Sequence, residues 1–440
     1  MKRLSLLLFI LSPVLALSQN KLLTLEEAIA TALQNNYDIQ LSKNDSAVAA
    51  LNYSYRTALF LPRLNGIFNS GWTNTDQKQA FADGTQKQLK DIKSNNYNAA
   101  IQLNWTLFDG LKMFATRDKA EQLIKLGTLE IKQQVINTVA TVIVTYYNVV
   151  RLKQELKAIE EQISINEERV KLSQYKLDIG VGIKPDVLQS KIDLNAQKAA
   201  KLEVETRIVQ LKDLLNQVMN LPAEAKAYSY IVADTIPLNK GLTIDDIQNN
   251  ITTTNPALLI TQKNIDIAHL TLKERKADRF PVFSFNSAYS YNRNNNKATV
   301  NPFLPLYSRT TGRNLGFSAA IPILNGFNVS RQIKQASLDI QYQQLYFTSQ
   351  LSQLNVAVII AFRAYEHQIK ALLLEEENIL LARENLGILL ETYKLGAATL
   401  LQLKEAQNSL EDAYDRLIAA RYNTKLAETE LLRLKGDLVK

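Results

Sequence analysis

Residues 96–117 read NYNAAIQLNWTLFDGLKMFATR, and 216 residues later, at 312–333, the chain reads GRNLGFSAAIPILNGFNVSRQI. In each copy a strand-like run meets a turn, Phe108-Asp109-Gly110 or Leu324-Asn325-Gly326, and a long helical pattern begins at once. Tyr97, Ala99, Ile101, Leu103, Trp105 and Leu107 alternate with Asn98, Ala100, Gln102, Asn104 and Thr106, so one face is apolar and the other polar. In the second copy Leu315, Phe317, Ala319, Ile321 and Ile323 stand against Asn314, Gly316, Ser318, Ala320 and Pro322. Such alternation fits a soluble sandwich with its core on one side, or a membrane barrel with lipid outside and water inside.

The chain has 440 residues with only 14 Gly and 10 Pro, and so few breakers over that length predict long helices. Residues 1–18 read as a secretory signal: Lys2 and Arg3, an apolar run from Leu4 to Leu17, then Ser18 before Gln19. With no cysteine anywhere, neither a disulfide framework nor a lipidated N-terminal Cys is possible. Beyond the signal no run is apolar enough for a spanning helix, and the densest stretch, Val135 to Val150, carries Asn137 and Asn148. If the chain crosses a bilayer, strands must do it. The 51 basic and 43 acidic residues are interspersed, as on solvated helix faces, and give no stripe for nucleic acid.

In order, Thr24-Leu25-Glu26-Glu27 starts a capped helix expected to run to about Leu59, before Pro62. Strands are expected at about 64–73 and 97–108, with the polar residues 74–95 as a loop between them. A helix from Leu111 to about Leu177 would be roughly 100 Å long. Gly180, Gly182 and Pro185 mark a sharp reversal, after which a helix runs from Asp186 to about Asn220. Residues 222–241 read as a linker.

The order then restarts. Thr243-Ile244-Asp245-Asp246 and Thr254-Asn255-Pro256 fall 219 residues after their counterparts, strands are expected at 282–291 and 314–324, and a helix from about Asn328 to Leu395 turns at Gly396, 216 residues after Gly180. In the last helix Leu403, Ala406, Leu410, Ala413, Leu417, Ala420, Thr424, Ala427, Leu431 and Leu434 form a heptad seam, matched in the first half by a more polar one from Val187 to Val218. The chain thus divides into a first repeat, 19–225, and a second, 226–440. Four strands cannot close a lipid-excluding barrel alone, but three copies would bring twelve.

In these features the chain resembles the TolC-like family of bacterial outer-membrane efflux proteins. The corners at Asp109-Gly110 and Asn325-Gly326, the reversals at Gly180 and Gly396, and Asp186-Val187-Leu188 carry the resemblance over about 22–438. It implies a mainly α protein with a small β component: long antiparallel helical hairpins forming an α-barrel of coiled coils, and four strands contributed to a 12-stranded transmembrane β-barrel in a homotrimer. It also implies an exit duct of a tripartite efflux or type I secretion system in the outer membrane of a Gram-negative bacterium. Its partners would be a periplasmic adaptor and an inner-membrane transporter, with no cofactor.

The resemblance places adaptor contacts at Ile179, Gly180, Val181, Leu395, Gly396 and Ala397, and a periplasmic gate at Asp186, Gln402 and Glu405. The best-known family members carry two aspartate rings there, six and nine residues after the second-half glycine; here those positions are the neutral Gln402 and the acidic Glu405, while Asp186 stands at the matching position in the first half. Trp72, Tyr97, Trp105, Tyr289 and Tyr291 are expected to form a membrane-interface belt. The rival readings are an enzyme, which the lack of Cys and the isolated His269 and His367 argue against, and a soluble periplasmic coiled-coil adaptor or scaffold.

Overall fold

The computed structural model describes residues 21–221, 230–301 and 303–438. The segment read as a signal, 1–18, and the linker residues 222–229 lie outside the described residues. Two compact units emerge, each assembled from both halves of the sequence: unit 1 from 1–42, 131–257 and 351–440, and unit 2 from 43–130 and 258–350. The fold is mainly α with a small β component.

The element order is β1 (Lys21–Leu23), α1 (Leu25–Asn35), α2 (Tyr37–Ser54), β2 (Arg63–Ala80), β3 (Gln86–Phe108), α3 (Lys112–Asp178), α4 (Lys184–Met219), β4 (Tyr230–Val232), α5 (Ile244–Gln248), α6 (Ile251–Thr254), α7 (Pro256–Ala277), β5 (Val282–Asn296), β6 (Tyr307–Ala320), α8 (Asn328–Lys394) and α9 (Leu400–Lys435). The two longest helices have 67 residues each and the two that follow them 36 each.

In unit 2 the strands pair antiparallel in the order β2-β3-β5-β6, which leaves β2 and β6 as open edges. The strands exceed the expected bounds at their far ends. Residues 74–95 are not a loop: the β2–β3 ladder continues, past a bulge at Thr75/Gln77, to Ala80↔Gln86. The polar residues there carry no apolar alternation, so the backbone ladder alone reveals them. At its near end β6 is shorter than expected and stops at Ala320, which leaves Ile321 and Ile323 outside it. Pro322 has no N–H to offer a ladder.

Both strand-to-helix corners use two successive left-handed residues: Gly110 and Leu111 at φ 73° and 70°, Gly326 and Phe327 at 61° and 63°. At the first corner both carboxylate oxygens of Asp109 accept from the Met113 N–H at 3.0 and 3.2 Å, capping α3. Gly110 admits no side chain, since a Cβ there would lie 2.4 Å from the Ala277 carbonyl.

In unit 1 one core gathers Ala28 and Ala32 of α1, Val139 to Val150 of α3, Leu215 and Met219 of α4, and Tyr230 and Val232 of β4. β1 and β4, both too short to be legible beforehand, pair in parallel. Tyr146 joins them, donating to the Leu23 carbonyl at 2.8 Å and accepting from the Ala233 N–H at 3.1 Å. The expected seam of α9 is buried from Leu403 to Leu434, with only Ala427 half-exposed. On α8 the residues Val358, Tyr365, Leu372, Ile379, Leu386 and Tyr393 recur every seven positions and are all buried, the facing half of a heptad packing.

Two expectations about helices need correction. The single helix foreseen from Thr24 to Leu59 breaks at Asn36, whose side-chain oxygen accepts from the Asp38 N–H at 3.0 Å and restarts the chain as α2. Moreover, α3 and α8 each contain an 18-residue window of mean hydropathy 1.3 and are long and apolar enough to cross a membrane, because scattered Thr, Asn and Tyr do not cancel the Val and Ile between them. The α3 window is 61% buried, while that of α8 is only 6% buried.

Candidate functional site

Two features of the fold bear on function, one in each unit. In unit 2 the register sorts every strand into the same two faces. Ladder rows Leu64–Leu103–Ser287–Leu315, Phe68–Ala99–Tyr291–Thr311 and Trp105–Phe285–Phe317 lie on one face. The rows Asn65–Gln102–Ala288–Asn314, Asn69–Asn98–Asn292–Thr310 and Asn104–Asn286–Gly316 lie on the other. Asn98 donates to Asn292 at 2.5 Å and Asn286 to the Ser318 hydroxyl at 2.9 Å, so the polar face knits itself together.

Trp72, Tyr97, Trp105, Tyr289 and Tyr291 all fall on the apolar face. Trp72 meets Tyr97 edge-on at 6.4 Å, and the Trp105 indole N–H donates to the Phe60 carbonyl at 2.9 Å. Phe317 is 80% exposed and Trp72 69%. On this face Phe68, Trp72, Tyr289 and Phe317 are exposed, while Tyr97, Phe285 and Tyr291 are half-buried.

In unit 1 the two hairpin ends are built alike. At the first, Gly180 (φ 81°) donates to the Leu177 carbonyl and Val181 to that of Lys176, both at 3.0 Å; at the second, Gly396 (φ 79°) donates to Tyr393 at 3.1 Å and Ala397 to Thr392 at 2.9 Å. This pair of bonds closes a helix whose next residue is left-handed, a conformation glycine adopts without strain. Ile179, Gly180, Val181, Leu395, Gly396 and Ala397 are all exposed, with Val181 at 73% and Leu395 at 83%.

The three residues read as a gate are placed differently from one another. Asp186 sits half-buried in the first turn of α4, where the helix dipole favours a carboxylate. Gln402 caps α9: its side-chain oxygen accepts from the Thr399 N–H at 2.9 Å while the Thr399 hydroxyl accepts from the Gln402 N–H at 3.3 Å. Glu405 is exposed beside the buried Ala406.

What the sequence reading missed is a polar seam within a few turns of these ends. Gln162, Asn166, Arg169 and Ser173 recur at heptad spacing on α3 and are all buried. Arg169 donates to Gln407 of α9 and to Asp193 of α4, each at 2.5 Å. Lys404 of α9 donates to the other oxygen of Asp193 at 3.0 Å. The Ser173 hydroxyl lies 3.2 Å from both Ser190 and the Tyr393 phenol, and Lys176 donates to the Tyr393 carbonyl at 2.5 Å. These bonds tie the α3–α4 hairpin to the α8–α9 hairpin.

Burial of Asp193 works to raise its pKa, but hydrogen bonds from Lys404 and Gln189 and the charges of Arg169 and Lys404 outweigh it and hold the carboxyl below the usual range. The seam is not fully satisfied: Arg169 Nε, Gln162 Nε2 and Gln407 Nε2 are buried without a protein partner. A half-satisfied polar layer costs stability that an apolar seam would not, so it weakens the joint between the hairpins. Among the described residues no cluster of His, Asp or Glu is arranged to hold a metal.

Comparison with known proteins agrees with this architecture. The chain is similar to the outer membrane efflux protein BepC of Brucella suis (21% identity, covering 94% of this chain and 86% of BepC). It is also similar to the alkaline protease secretion protein AprF of Pseudomonas aeruginosa (20% identity, 95% and 87% covered). Its fold superposes on the CmeC outer membrane channel of Campylobacter jejuni with a TM-score of 0.77 over 94% of this chain and 86% of that one, at 14% identity. The model of the family described as outer membrane efflux protein matches residues 28–220 and 249–437, so the chain belongs to the outer membrane efflux protein family.

Proposed function

We propose that this chain is the outer-membrane exit duct of an efflux or type I secretion system: a passive conduit, not a catalyst, through which substrates leave the periplasmic side. The observation that carries the reading is the two-faced sheet of unit 2. An apolar, aromatic face continuous across four strands, backed by a face of Asn, Ser, Thr and Gly, suits lipid on one side and water on the other. Open edges at β2 and β6 are untenable in a bilayer, where every backbone group needs a partner. Three copies joined edge to edge supply twelve strands and close the ring, which makes the working unit a homotrimer. The 6% burial of the apolar window on α8 supports the same assembly, since neighbouring copies would cover it.

The helices form the periplasmic portion, and the chain is read as a duplication with repeats at 19–225 and 226–440. The hairpin ends are the parts that meet other proteins. Ile179, Val181 and Leu395, exposed around glycine-closed reversals, suit an apolar contact with a periplasmic adaptor that links the duct to an inner-membrane transporter. The gate is assigned to Asp186, Gln402 and Glu405, with the polar ties of Arg169, Asp193, Lys404 and Tyr393 as the joint that must loosen for the hairpins to part. Native mass spectrometry of the protein extracted from outer membranes in detergent tests the assembly. A trimer is the expected result; a monomer soluble without detergent points to a periplasmic scaffold.

A further inference from the structure

The apolar face of the sheet is not apolar to its end. At the edge farthest from the helices, the ladder places Arg293 of β5 directly opposite Arg309 of β6, on the same face as Tyr97, Tyr291 and Tyr307. Arg313 follows on that face, opposite Tyr289. Like charges directly across a ladder repel. Yet none of the three arginines makes an ion pair among the described residues. Instead Arg309 lies over the Tyr291 ring at 5.3 Å and Arg293 over the Tyr307 ring at 5.5 Å. Both side chains are exposed, and among the described residues neither guanidinium donates a hydrogen bond to the protein.

Their height on the sheet identifies what they meet. Ten residues separate Phe283 from Arg293, about 33 Å of strand. At a tilt of about 40° this spans about 25 Å, the height of the apolar band of an outer-membrane barrel. Arg293 and Arg309 therefore stand where that band ends, at the level of lipid headgroups, while Arg313, four residues nearer the helices, lies about 13 Å of strand inside it. The strands lead into the helices at the opposite edge, so this is the exterior leaflet.

Resting on the exit-duct reading above, we propose that Arg293 and Arg309 form a binding site for the phosphate of a phosphorylated lipid headgroup in the exterior leaflet. Forked guanidinium donors match phosphate oxygens two at a time, the tyrosines fix the forks and line the start of the acyl region, and one anion between Arg293 and Arg309 relieves their repulsion. The rival occupant is the neighbouring copy, whose β2 edge carries Asp76 and would meet β6 in a closed ring.

The test is native mass spectrometry of the detergent-purified full chain with bisphosphorylated lipid A, the same lipid stripped of its phosphates, and inorganic phosphate. The wild-type trimer is expected to retain the phosphorylated lipid at least ten-fold better than the stripped one, and the Arg293→Gln/Arg309→Gln variant to lose that preference while Arg331→Gln keeps it. The single change Arg309→Gln serves if the double variant does not assemble, with a loss of several-fold expected. Equal retention by wild type and variant, or displacement of the lipid by inorganic phosphate, overturns the proposal with the trimer intact. A variant that falls to monomers while the wild type is trimeric assigns the arginines to the neighbouring strand and overturns it too. A wild type that is no trimer overturns the duct reading itself, and the two failures are read from the same spectra.

Discussion

Arg169 donates through Nη1 to the side-chain oxygen of Gln407 at 2.5 Å and so joins α3 to α9, with Arg169 only 1% exposed. The pair sits in a seam where most heptad proteins carry leucine. Replacing Arg169 by Leu leaves Asp193 with Lys404 and Gln189, and is expected to destabilise unit 1 by about 2 kcal/mol, below the usual cost of breaking a fully buried pair because both of those donors remain. The same change is expected to raise single-channel conductance, since it removes a tie between the hairpins. Gln407→Leu removes a buried unpaired amide N–H but strands Arg169 Nη1 without its acceptor, and is expected to cost about 1–2 kcal/mol while still raising conductance. Thermal unfolding and bilayer recordings on both variants check this.

The tie has a defined response to acid. Because the Asp193 pKa is lower in the folded chain than in the unfolded one, its contribution is complete above about pH 4 and fades as pH falls through the lowered value. Stability of the helical signal by circular dichroism is therefore expected to be insensitive to this group between pH 5 and 8 and to decline below about pH 4. Asp193→Asn is expected to flatten that acid limb. A steep loss between pH 7 and 5 that Asn abolishes would contradict the assignment.

The two strand-to-helix corners share backbone angles but not surroundings. At Gly110 an added Cβ would strike the Ala277 carbonyl at 2.4 Å, whereas at Gly326 nothing lies within 4 Å. Gly326→Ala is expected to cost about 1 kcal/mol, the strain of a left-handed alanine. Gly110→Ala is expected to cost about 3 kcal/mol or more, because strain and clash add. Urea unfolding of the two variants measures the difference.

A matched pair of asparagines holds each half closed. Asn36 donates from its side-chain amide to the Val218 carbonyl at 3.0 Å, and Asn255 does the same to the Leu434 carbonyl at 2.8 Å. Each fastens the early helices of its half to a carbonyl in the last turn of that half's last helix, where carbonyls run out of intrahelical partners. Asn36→Ala and Asn255→Ala are each expected to cost about 1–2 kcal/mol in thermal unfolding, as for a buried hydrogen bond with one partner removed.

These relationships were legible in the sequence to different depths. The 67-residue helices follow from long stretches nearly free of Gly and Pro, and the caps at Thr24 and Thr243 from a hydroxyl followed three residues later by a carboxylate. The face to which Trp72 and Tyr289 belong followed from period-two alternation. The outer halves of the strands did not, because 74–80 and 86–95 are polar on both faces and only hydrogen bonding between chains of the ladder defines them. Arg169 hid for another reason. A charged residue at a heptad position looks like a solvated one until the second hairpin is laid against it, although the spacing of Gln162, Asn166, Arg169 and Ser173 was there to be counted. Gln402 was read for its alignment with a family position, and the capping pattern Thr399-Leu400-Leu401-Gln402, of the same kind as those at Thr24 and Thr243, was overlooked.

The central claim is that strands from several copies of this chain close a water-filled barrel. Current across a planar lipid bilayer to which the detergent-purified full chain is added tests it most directly. Discrete, long-lived conductance steps that increase in the Arg169→Leu variant are the predicted result. A bilayer that stays electrically silent with folded wild-type and variant protein alike would contradict it.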